Sequence, residues 1–438
     1  MEIITRTAGV LQGLLSTTAE EVGKACGLIK RKREFTASSL LSTFVLGFLH
    51  RARPKWEELA LIARQLGANV TPQAVEQRVT PELRDSLERL WQEAVKCVLT
   101  AEARTIPLLM KFTQVLIGDS STIGLADSLA DQFPGCGGSH GSGRAAIKLQ
   151  VIWDCVAGGL RMLWEVGKQN DSTSSVMQEI PPAGSLSIKD LGYFSLGRFR
   201  VWQAAGAHWI SRGISDLLLW SEGQCHDLHD WLNLQPAGPV DRWVEVGNTR
   251  LRCRLVALRA PQEVADRRRQ KAYDKAAKKG RKPSARHLAN CDWTVFLTSC
   301  ADDLLTWKEV VVLYRLRWQI ELLFKLWKSH NLLEEHRSNE PVRQMAEFYA
   351  KLTAVIVQHW LLLTTVWQDE RVSLTKAARL IRDHLPQLIA AIAVIDDLIA
   401  TLQRWRASLR HLARIAQRKK NPSNPQLLTS ADILTFST

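Results

Sequence analysis

Features of secreted and membrane-spanning proteins are scarce in this sequence. Its eight cysteines are scattered and form no C-x-x-C pair, which is typical of reduced thiols in a cytosolic protein. The N-terminus lacks a charged leader followed by an apolar core and a cleavage site. The most apolar long segment, residues 352–367, is interrupted by Gln358 and His359 and is shorter than the ~20 residues that cross a membrane. We therefore expect a cytoplasmic protein with no membrane partner, in which this segment forms a buried helix.

Two common kinds of binding site lack a necessary part. The segment CHDLHD contains Cys225, His226 and His229, but no second pair of ligands lies at a spacing suited to zinc, so we interpret it as a surface turn. The glycine-rich segment PGCGGSHGSG, residues 134–143, lacks the lysine and the helix of a P-loop. We interpret it as a flexible loop near a substrate.

Acidic residues are too few to balance the basic ones. The chain has 58 Lys and Arg against 44 Asp and Glu, which gives a net charge of +14. The natural partner of such an excess is a polyanion, with nucleic acid first and an anionic membrane surface second. At 438 residues and 46% hydrophobic content, the chain should fold into two or three domains.

The first predicted domain, residues 1–105, is helical. Gly67 is placed to end one helix, and Thr71 can cap the next, which has Pro72 in its first turn. This is a helix-turn-helix pattern, which occurs both in DNA-binding domains and as a plain packing unit. If it binds DNA, the candidate reading residues are Gln73, Gln77 and Arg78.

Strands dominate the second predicted segment, residues 106–212. Three strands in antiparallel order are followed by strands that alternate with helices, which indicates an α/β fold with a mixed sheet. The apolar runs VLIGD and LSIKD each end in an acid, so Asp119 and Asp190 should emerge where buried strands open to solvent. Asp154, inside a strand, is interpreted as a solvent-facing residue.

A β insertion is predicted at residues 213–300. Between its last two strands lies DRRRQKAYDKAAKKGRKPSARH, with ten Lys or Arg against two Asp. Such a run is either a solvated, mobile linker or a phosphate-binding segment, and both interpretations stay open. Helices are expected from residue 301 to 370 and in a C-terminal region, 371–438, with Pro341 and Pro386 opening long helices.

The segment YRLRWQIELLFKLWKSH has one acid within a basic stripe. At about 100° per residue, its polar residues share one helical face, opposite an apolar band that would face a core. The simple explanation of the acid is that it forms ion pairs with the basic residues four positions away, each of which stabilises the helix by about 0.2–0.5 kcal/mol. The polar face consists of Tyr314, Arg317, Glu321, Lys325 and Lys328.

Three acids of different segments suggest a second explanation. If Asp119, Asp190 and Glu321 converge in this basic protein, a pair of hard divalent cations would neutralise them. Two magnesium ions could then activate an attacking oxygen and stabilise a leaving one in phosphodiester chemistry.

These residues resemble the DDE transposases of bacterial insertion sequences, specifically the insertion sequence four group that includes the transposon-five type. Its signature is Tyr, two residues, Arg, three residues, Glu, six residues, Lys. Tyr314, Arg317, Glu321 and Lys328 fit every spacing, and GDSST and KDLGYF are similar to the two aspartate motifs of the group. The resemblance covers roughly residues 110–370.

The resemblance implies a ribonuclease-H-like catalytic domain that a β insertion interrupts before its last helix. Asp119, Asp190 and Glu321 would be catalytic residues and would bind two Mg²⁺ ions, for which Mn²⁺ could substitute. KDLGYF lacks the arginine that often follows the second aspartate, so Asp171 in KQNDSTSS competes with Asp190 for that role.

The resemblance also implies a set of DNA contacts. Trp293 lies where a tryptophan of the family stacks on a flipped base, although a core aromatic is an equal alternative. Arg198 and Lys148 are candidates without motif support. The residues expected to hold phosphates near the cleaved strand are Tyr314, Arg317, Lys325 and Lys328.

The implied function is cut-and-paste DNA transposition. The protein would bind terminal inverted repeats, cleave the ends through a hairpin intermediate and join them to target DNA. Its partners would be double-stranded DNA and a second copy of the chain on paired ends, in the nucleoid of a bacterial cytoplasm. A catalytically silent DNA-binding regulator and a stand-alone nuclease of the same fold are the alternatives.

Overall fold

The computed structural model describes residues 2–30, 34–136, 144–369, 371–415 and 424–431. Residues 137–143, most of the glycine-rich segment that we expected near a substrate, lie outside this part of the chain. Within it, no helix is both long enough and apolar enough to cross a membrane.

Six helices precede the sheet. Helix α3 begins at a capping box made by Thr36 and Ser39. The predicted turn is confirmed in its local geometry, because Gly67 has a φ of +89°, the Thr71 hydroxyl accepts the Ala74 N–H, and Pro72 opens the next helix. The helices are α1 Glu2–Gly13, α2 Ala19–Ala25, α3 Ala37–His50, α4 Trp56–Gln65, α5 Pro72–Glu76 and α6 Pro81–Lys96.

The sheet segment alternates strands with five helices. Its strands are β1 Val115–Gly124, β2 Ala146–Asp154, β3 Leu160–Val166, β4 Leu186–Lys189, β5 His208–Arg212, β6 Leu218–Ser221, β7 Gln224–Asp227, β8 Val240–Val246, β9 Leu251–Arg259 and β10 Trp293–Thr298. Its helices are α7 Ser175–Gln178, α8 Leu196–Ala204, α9 Leu228–Asn233, α10 Gln262–Ala277 and α11 Ala285–Ala289.

All ten strands form one mixed sheet, in the order β3-β2-β1-β4-β5-β10-β9-β8-β6-β7. Strand β1 is antiparallel to β2 and parallel to β4, and β4 is parallel to β5. This half of the sheet is consistent with the ribonuclease-H-like arrangement that the resemblance implies. The later strands extend the same sheet, because β10 pairs with β5 and β9. The proposed domain boundaries stay predictions.

In the described part of the chain, six further α-helices follow β10. Helix α14 is the central one, since every residue from Gln344 to Thr365 is buried, and it packs against α3, α6 and α16. The buried helix predicted at residues 352–367 is therefore confirmed up to Thr365. The helices are α12 Trp307–Arg315, α13 Arg317–Ser329, α14 Pro341–Thr365, α15 Leu374–Ala391, α16 Ile395–Leu412 and α17 Asn424–Thr429.

The helix predicted from Tyr314 to His330 is divided at Leu316 into α12 and α13. Its apolar band is confirmed as the core face. The buried members of this band are Leu313, Leu316, Ile320, Leu323, Phe324 and Trp327.

Two expectations about single residues are wrong. Pro386 does not open a helix but lies inside α15, where it removes the N–H that would bind the Arg382 carbonyl. His50 of α3 replaces it, since its Nδ1 donates to that carbonyl at 3.1 Å. Asp154 does not face solvent but is 3% exposed, because its carboxylate accepts backbone N–H groups, including those of Val115 and Val156.

The segment CHDLHD also differs from the expected surface turn. It forms the end of β7 and the start of α9. Cys225 is exposed, whereas His229 is buried.

Candidate active site

Pairing of the interior strands β1 and β4 places two acids beside each other, where β4 ends. Gly118 of β1 lies beside Lys189 of β4 in parallel register. The next residues along the two strands therefore lie side by side: Asp119 stays within β1, which does not open to solvent there as expected but continues to Gly124, whereas Asp190 directly follows the end of β4. Helix α13 packs against β1 and carries the third acid, Glu321.

Arg317, in the first turn of α13, contacts all three carboxylates. Its Nη1 lies 2.5 Å from Glu321 Oε1 and 3.6 Å from Asp119 Oδ2, and its Nε lies 3.6 Å from Asp190 Oδ1. Burial lowers the pKa of Arg317, but the charges of Asp190 and Glu321 outweigh it and raise the pKa. The structure thus gathers the three acids around one guanidinium.

Asp119 has a raised pKa in this arrangement. Burial raises the pKa of its carboxyl from 3.8 to about 6, and the charges of Asp190 and Glu321 add to the effect. The Ser120 N–H, which donates at 2.8 Å, and the Arg317 guanidinium oppose it only in part. One positive charge therefore does not neutralise three carboxylates.

The donor set suits hard divalent cations. Three carboxylates supply the oxygen ligands that magnesium and manganese prefer, and the excess negative charge favours ions of higher charge than a guanidinium. In the described part of the chain, no group of three or more His, Cys, Asp or Glu side chains is close enough to hold a metal as the side chains stand. At this edge, the guanidinium of Arg317 lies among the carboxylates.

The acids line an open cleft with a cationic wall. Lys325 is exposed on the turn of α13 that follows Glu321. Lys328 donates to the Thr122 carbonyl at 2.8 Å and pairs with Glu334, so it fastens α13 to β1.

Tyr314 lies beneath this cleft and not in its wall. Its side chain is 8% exposed, and its ring packs 5.2 Å from that of Phe296. Burial raises the pKa of its hydroxyl to about 12. The structure places Tyr314 as a support for Arg317, with which it shares a hydrogen bond. Its contact with phosphate stays a prediction.

The other candidate DNA contacts are not among the residues that line this cleft. Trp293 is 4% exposed at the start of β10, within the core between the insertion strands and α8, which matches the core alternative. Arg198 is half-buried in α8. Gln77 and Arg78 line a separate groove between the N-terminal helices, and Gln73 is exposed nearby.

Asp171 does not lie in the cleft. It binds the Ser120 hydroxyl at 2.8 Å and pairs with Lys148 at 3.2 Å. Lys148 is itself buried. The geometry favours Asp190 as the partner of Asp119.

Sequence reasoning missed two exposed apolar residues beside the acids. Trp318 is 57% exposed, with the Arg317 guanidinium 5.7 Å from its ring, and Leu322 is exposed one turn later. The signal was present, since at 100° per residue both fall near Lys325 on the polar face and outside the apolar band.

The basic segment between β9 and β10 is helical in α10 as far as Ala277, and its last residues, from Ala285, belong to α11. Arg268 of α10 donates to the Trp293 carbonyl at 3.2 Å and to the Thr294 hydroxyl at 3.0 Å, which ties α10 to β10. Three cations spaced four residues apart are exposed along α10. These are Arg267, Lys271 and Lys275.

The mixed sheet of this chain carries two aspartates side by side, and α13, which packs on it, places a glutamate beside the guanidinium that both aspartates contact. The sequence profile of the family described as "Transposase DDE domain" matches residues 110–357. The chain therefore belongs to the DDE transposases, in a family like the insertion sequence four group. Divalent metals are generally used by domains of this family.

Similar proteins carry transposase names. The transposase for insertion sequence element IS231B of Bacillus thuringiensis subsp. berliner is 26% identical over 85% of this chain and 84% of its own length. That for IS231F of Bacillus thuringiensis subsp. israelensis is 26% identical over 92% and 89%. The transposase for IS1151 of Clostridium perfringens is 24% identical over 58% of each.

Replacing Asp119 by Asn should stabilise the protein without divalent metals at neutral pH. The folded protein holds the Asp119 proton more tightly than the unfolded chain, because the pKa rises from 3.8 to about 6 and the side chain is only 19% exposed. The ionised carboxyl therefore opposes folding above pH 6 and ceases to do so near pH 4. We expect Asp119→Asn to gain about 1–3 kcal/mol at pH 7.5 and almost nothing at pH 4.

Urea unfolding at both pH values, in the presence of a chelator, measures this difference. Asp303→Asn, at an exposed position, is the control and should change little. A destabilised Asp119→Asn at pH 7.5 would contradict the electrostatic strain at the site.

Proposed function

We propose that this chain is a cut-and-paste DNA transposase that cleaves transposon ends and joins them to target DNA. The observation that carries the proposal is the convergence of Asp119, Asp190 and Glu321 on Arg317 in a cleft with a cationic wall. Membership of the DDE transposases and the transposase names of similar proteins support it.

Asp119, Asp190 and Glu321 would hold two divalent ions, Mg²⁺ with Mn²⁺ as a substitute, which when bound activate an attacking oxygen and stabilise a leaving one. Arg317 would then release the carboxylates and turn to a DNA phosphate, which its planar fork binds through two hydrogen bonds. Lys325 would hold a neighbouring phosphate. Lys328 would keep α13 at a fixed distance from β1 through its bond to the Thr122 carbonyl.

Each step would be an in-line displacement at phosphorus. Water attacks one strand at the transposon end and releases a 3′-hydroxyl. That hydroxyl attacks the phosphodiester of the opposite strand, closes a hairpin and displaces the 3′-oxygen of that strand. Water then attacks the hairpin phosphodiester and displaces the same 3′-hydroxyl. Finally the 3′-hydroxyl attacks a phosphodiester of the target DNA and displaces a 3′-oxygen of the target strand. One acidic site serves every step because only the attacking oxygen changes.

Base stacking would fall to aromatic residues near the cleft. Trp318 offers an exposed ring beside Arg317, and aromatic rings stack on unpaired bases of any sequence. Trp293, our first candidate, would need the β10 core to open before a base could reach it.

Recognition of the terminal repeats would use surfaces outside the cleft. Gln73, Gln77 and Arg78 of the N-terminal helices would read bases, while α10 and the C-terminal helices would hold the backbone. A dimer on paired ends would bring two such sites together.

Two rivals make different predictions for the same DNA. A silent regulator would bind the ends without cleaving them, although all three acids are present in this chain. A stand-alone nuclease would cleave without forming a joined product. Incubation with end-containing DNA and Mg²⁺, analysed for nicks, hairpins and joined strands, separates the three functions.

Replacing Glu321 by Gln should abolish cleavage while DNA binding is retained, because the amide cannot supply the charged ligand that the acidic site needs. Cleavage should fall at least ~100-fold, in the range seen when a catalytic group is removed. Gel-shift and cleavage assays measure the two properties on the same end DNA.

Glu93→Gln, on the exposed side of α6, is the matched control and should cleave normally. If Glu321→Gln cleaves as fast as the unchanged protein, Glu321 is not a catalytic residue.

The exposed cations of α10 should contribute to DNA affinity and to its salt dependence. For the double variant Lys271→Gln, Lys275→Gln, we expect the slope of log K against log salt concentration to become less steep by about 1.8, since each phosphate contact contributes about 0.9. Fluorescence anisotropy with end DNA over a range of salt concentrations measures the slope.

The control is Lys24→Gln, Lys96→Gln, which removes the same charge from lysines that already pair with carboxylates. Equal slopes for the two double variants would show that α10 acts only through net charge.

A further inference from the structure

A group of polar side chains extends from the cleft, which Ser120 lines, to the face of the sheet opposite α13. Successive strand residues point to opposite faces, so Ser120 points away from the face that Asp119 occupies. On that second face Leu116 packs with Tyr193 and Met177 in a small core. We call the polar group next to this core the backing network; it consists of Ser120, Lys148, Gln150, Asp171 and Tyr193.

One carboxylate oxygen joins the members of the backing network. Asp171 Oδ1 accepts from the Ser120 hydroxyl at 2.8 Å and from Gln150 Nε2 at 3.1 Å, and it lies 3.2 Å from Lys148 Nζ. The Tyr193 hydroxyl donates to Gln150 Oε1 at 3.1 Å and also interacts with the Ser120 hydroxyl. Burial raises the pKa of Tyr193, so its hydroxyl stays a donor.

The backing network connects the segments that carry the two aspartates. Ser120 directly follows Asp119 in β1. Tyr193 ends a short 3₁₀ turn, Leu191–Tyr193, that Asp190 precedes, and the Tyr193 N–H donates to the Asp190 carbonyl at 3.0 Å. The backbone position of Asp190 is therefore fixed at one end by β4 and at the other by the side chain of Tyr193.

A rigid network can hold two carboxylates in place although their charges repel each other. Asp119 and Asp190 repel each other, and Asp190 follows a strand of only four residues. A buried polar network with satisfied hydrogen bonds holds one geometry more firmly than apolar packing does. Gln150 is fully buried and its amide binds on both sides, so the network is rigid at its centre.

We propose that the backing network positions Asp190 against Asp119, with Tyr193 and Asp171 as positioning residues that touch neither DNA nor the reacting atoms. This inference rests on the proposed function, in which the two aspartates share divalent ions. It also gives Asp171 a role, as the residue that receives the hydrogen bonds behind the site. Residues that orient ligands in this way usually alter metal affinity 10–100-fold when removed.

The test compares Tyr193→Phe with Tyr349→Phe. Both substitutions remove one hydroxyl from a buried tyrosine, and Tyr349 binds Glu88 in the helical core, away from the acids. We expect Tyr193→Phe to bind Mn²⁺ about tenfold more weakly by calorimetry on the DNA-free protein. Tyr349→Phe should match the unchanged protein within twofold, and end DNA should bind all three proteins equally in a chelator.

A second measurement does not depend on metal. Hydrogen exchange of the backbone amides at residues 191–194 should be about tenfold faster in Tyr193→Phe and unchanged in Tyr349→Phe. A further variant, Ser120→Ala, should weaken Mn²⁺ binding, and combining it with Tyr193→Phe should add little, because both remove one connected path.

The outcomes separate the two claims. Unchanged exchange at residues 191–194 would overturn the positioning role. If the unchanged protein binds Mn²⁺, equal affinities for Tyr193→Phe and Tyr349→Phe, or additive effects of Ser120→Ala and Tyr193→Phe, would also overturn it. If the unchanged protein binds no Mn²⁺ but the exchange difference is present, the metal-dependent function fails while the backing network keeps its role.

Discussion

The contact of one guanidinium with three carboxylates is the interaction on which the proposed active site depends. Without a cation, Asp119, Asp190 and Glu321 would repel one another at a partly desolvated edge of the sheet, where charge interactions are stronger than in water. Arg317 holds them together in the protein alone. Burial, with the charges of Asp190 and Glu321 added, still raises the pKa of Asp119, although Arg317 opposes the shift.

Three features of the fold make that contact. The parallel register of β1 and β4 sets the two aspartates side by side, and the apolar face of α13 fixes the rotation of the helix that carries Arg317 and Glu321. Lys328 then ties the far end of α13 to β1. Strands β6 to β9 continue the same sheet through β10, which pairs with β5.

Local patterns were sufficient to predict much of this arrangement, whereas long-range contacts were not. The apolar band between Tyr314 and Lys328 depends only on helical periodicity, so the buried face followed directly, whereas the signature residues were identified through the resemblance to a family. His50 binds the Arg382 carbonyl that Pro386 leaves without a backbone donor. His50 and Arg382 are 332 positions apart, so helical periodicity could not predict the contact. Asp171 was ambiguous for the same reason, because the strand pairing that places it behind Ser120 is not local.

An experimental structure of the protein crystallised with Mn²⁺, with anomalous scattering to locate the metal, tests the convergence of the acids most directly. We expect manganese between Asp119, Asp190 and Glu321, with the side chain of Arg317 turned away from at least two of them. Manganese bound elsewhere, or an Arg317 that keeps all three contacts while the metal occupies another group of acids, would contradict the assignment of this edge as the catalytic centre.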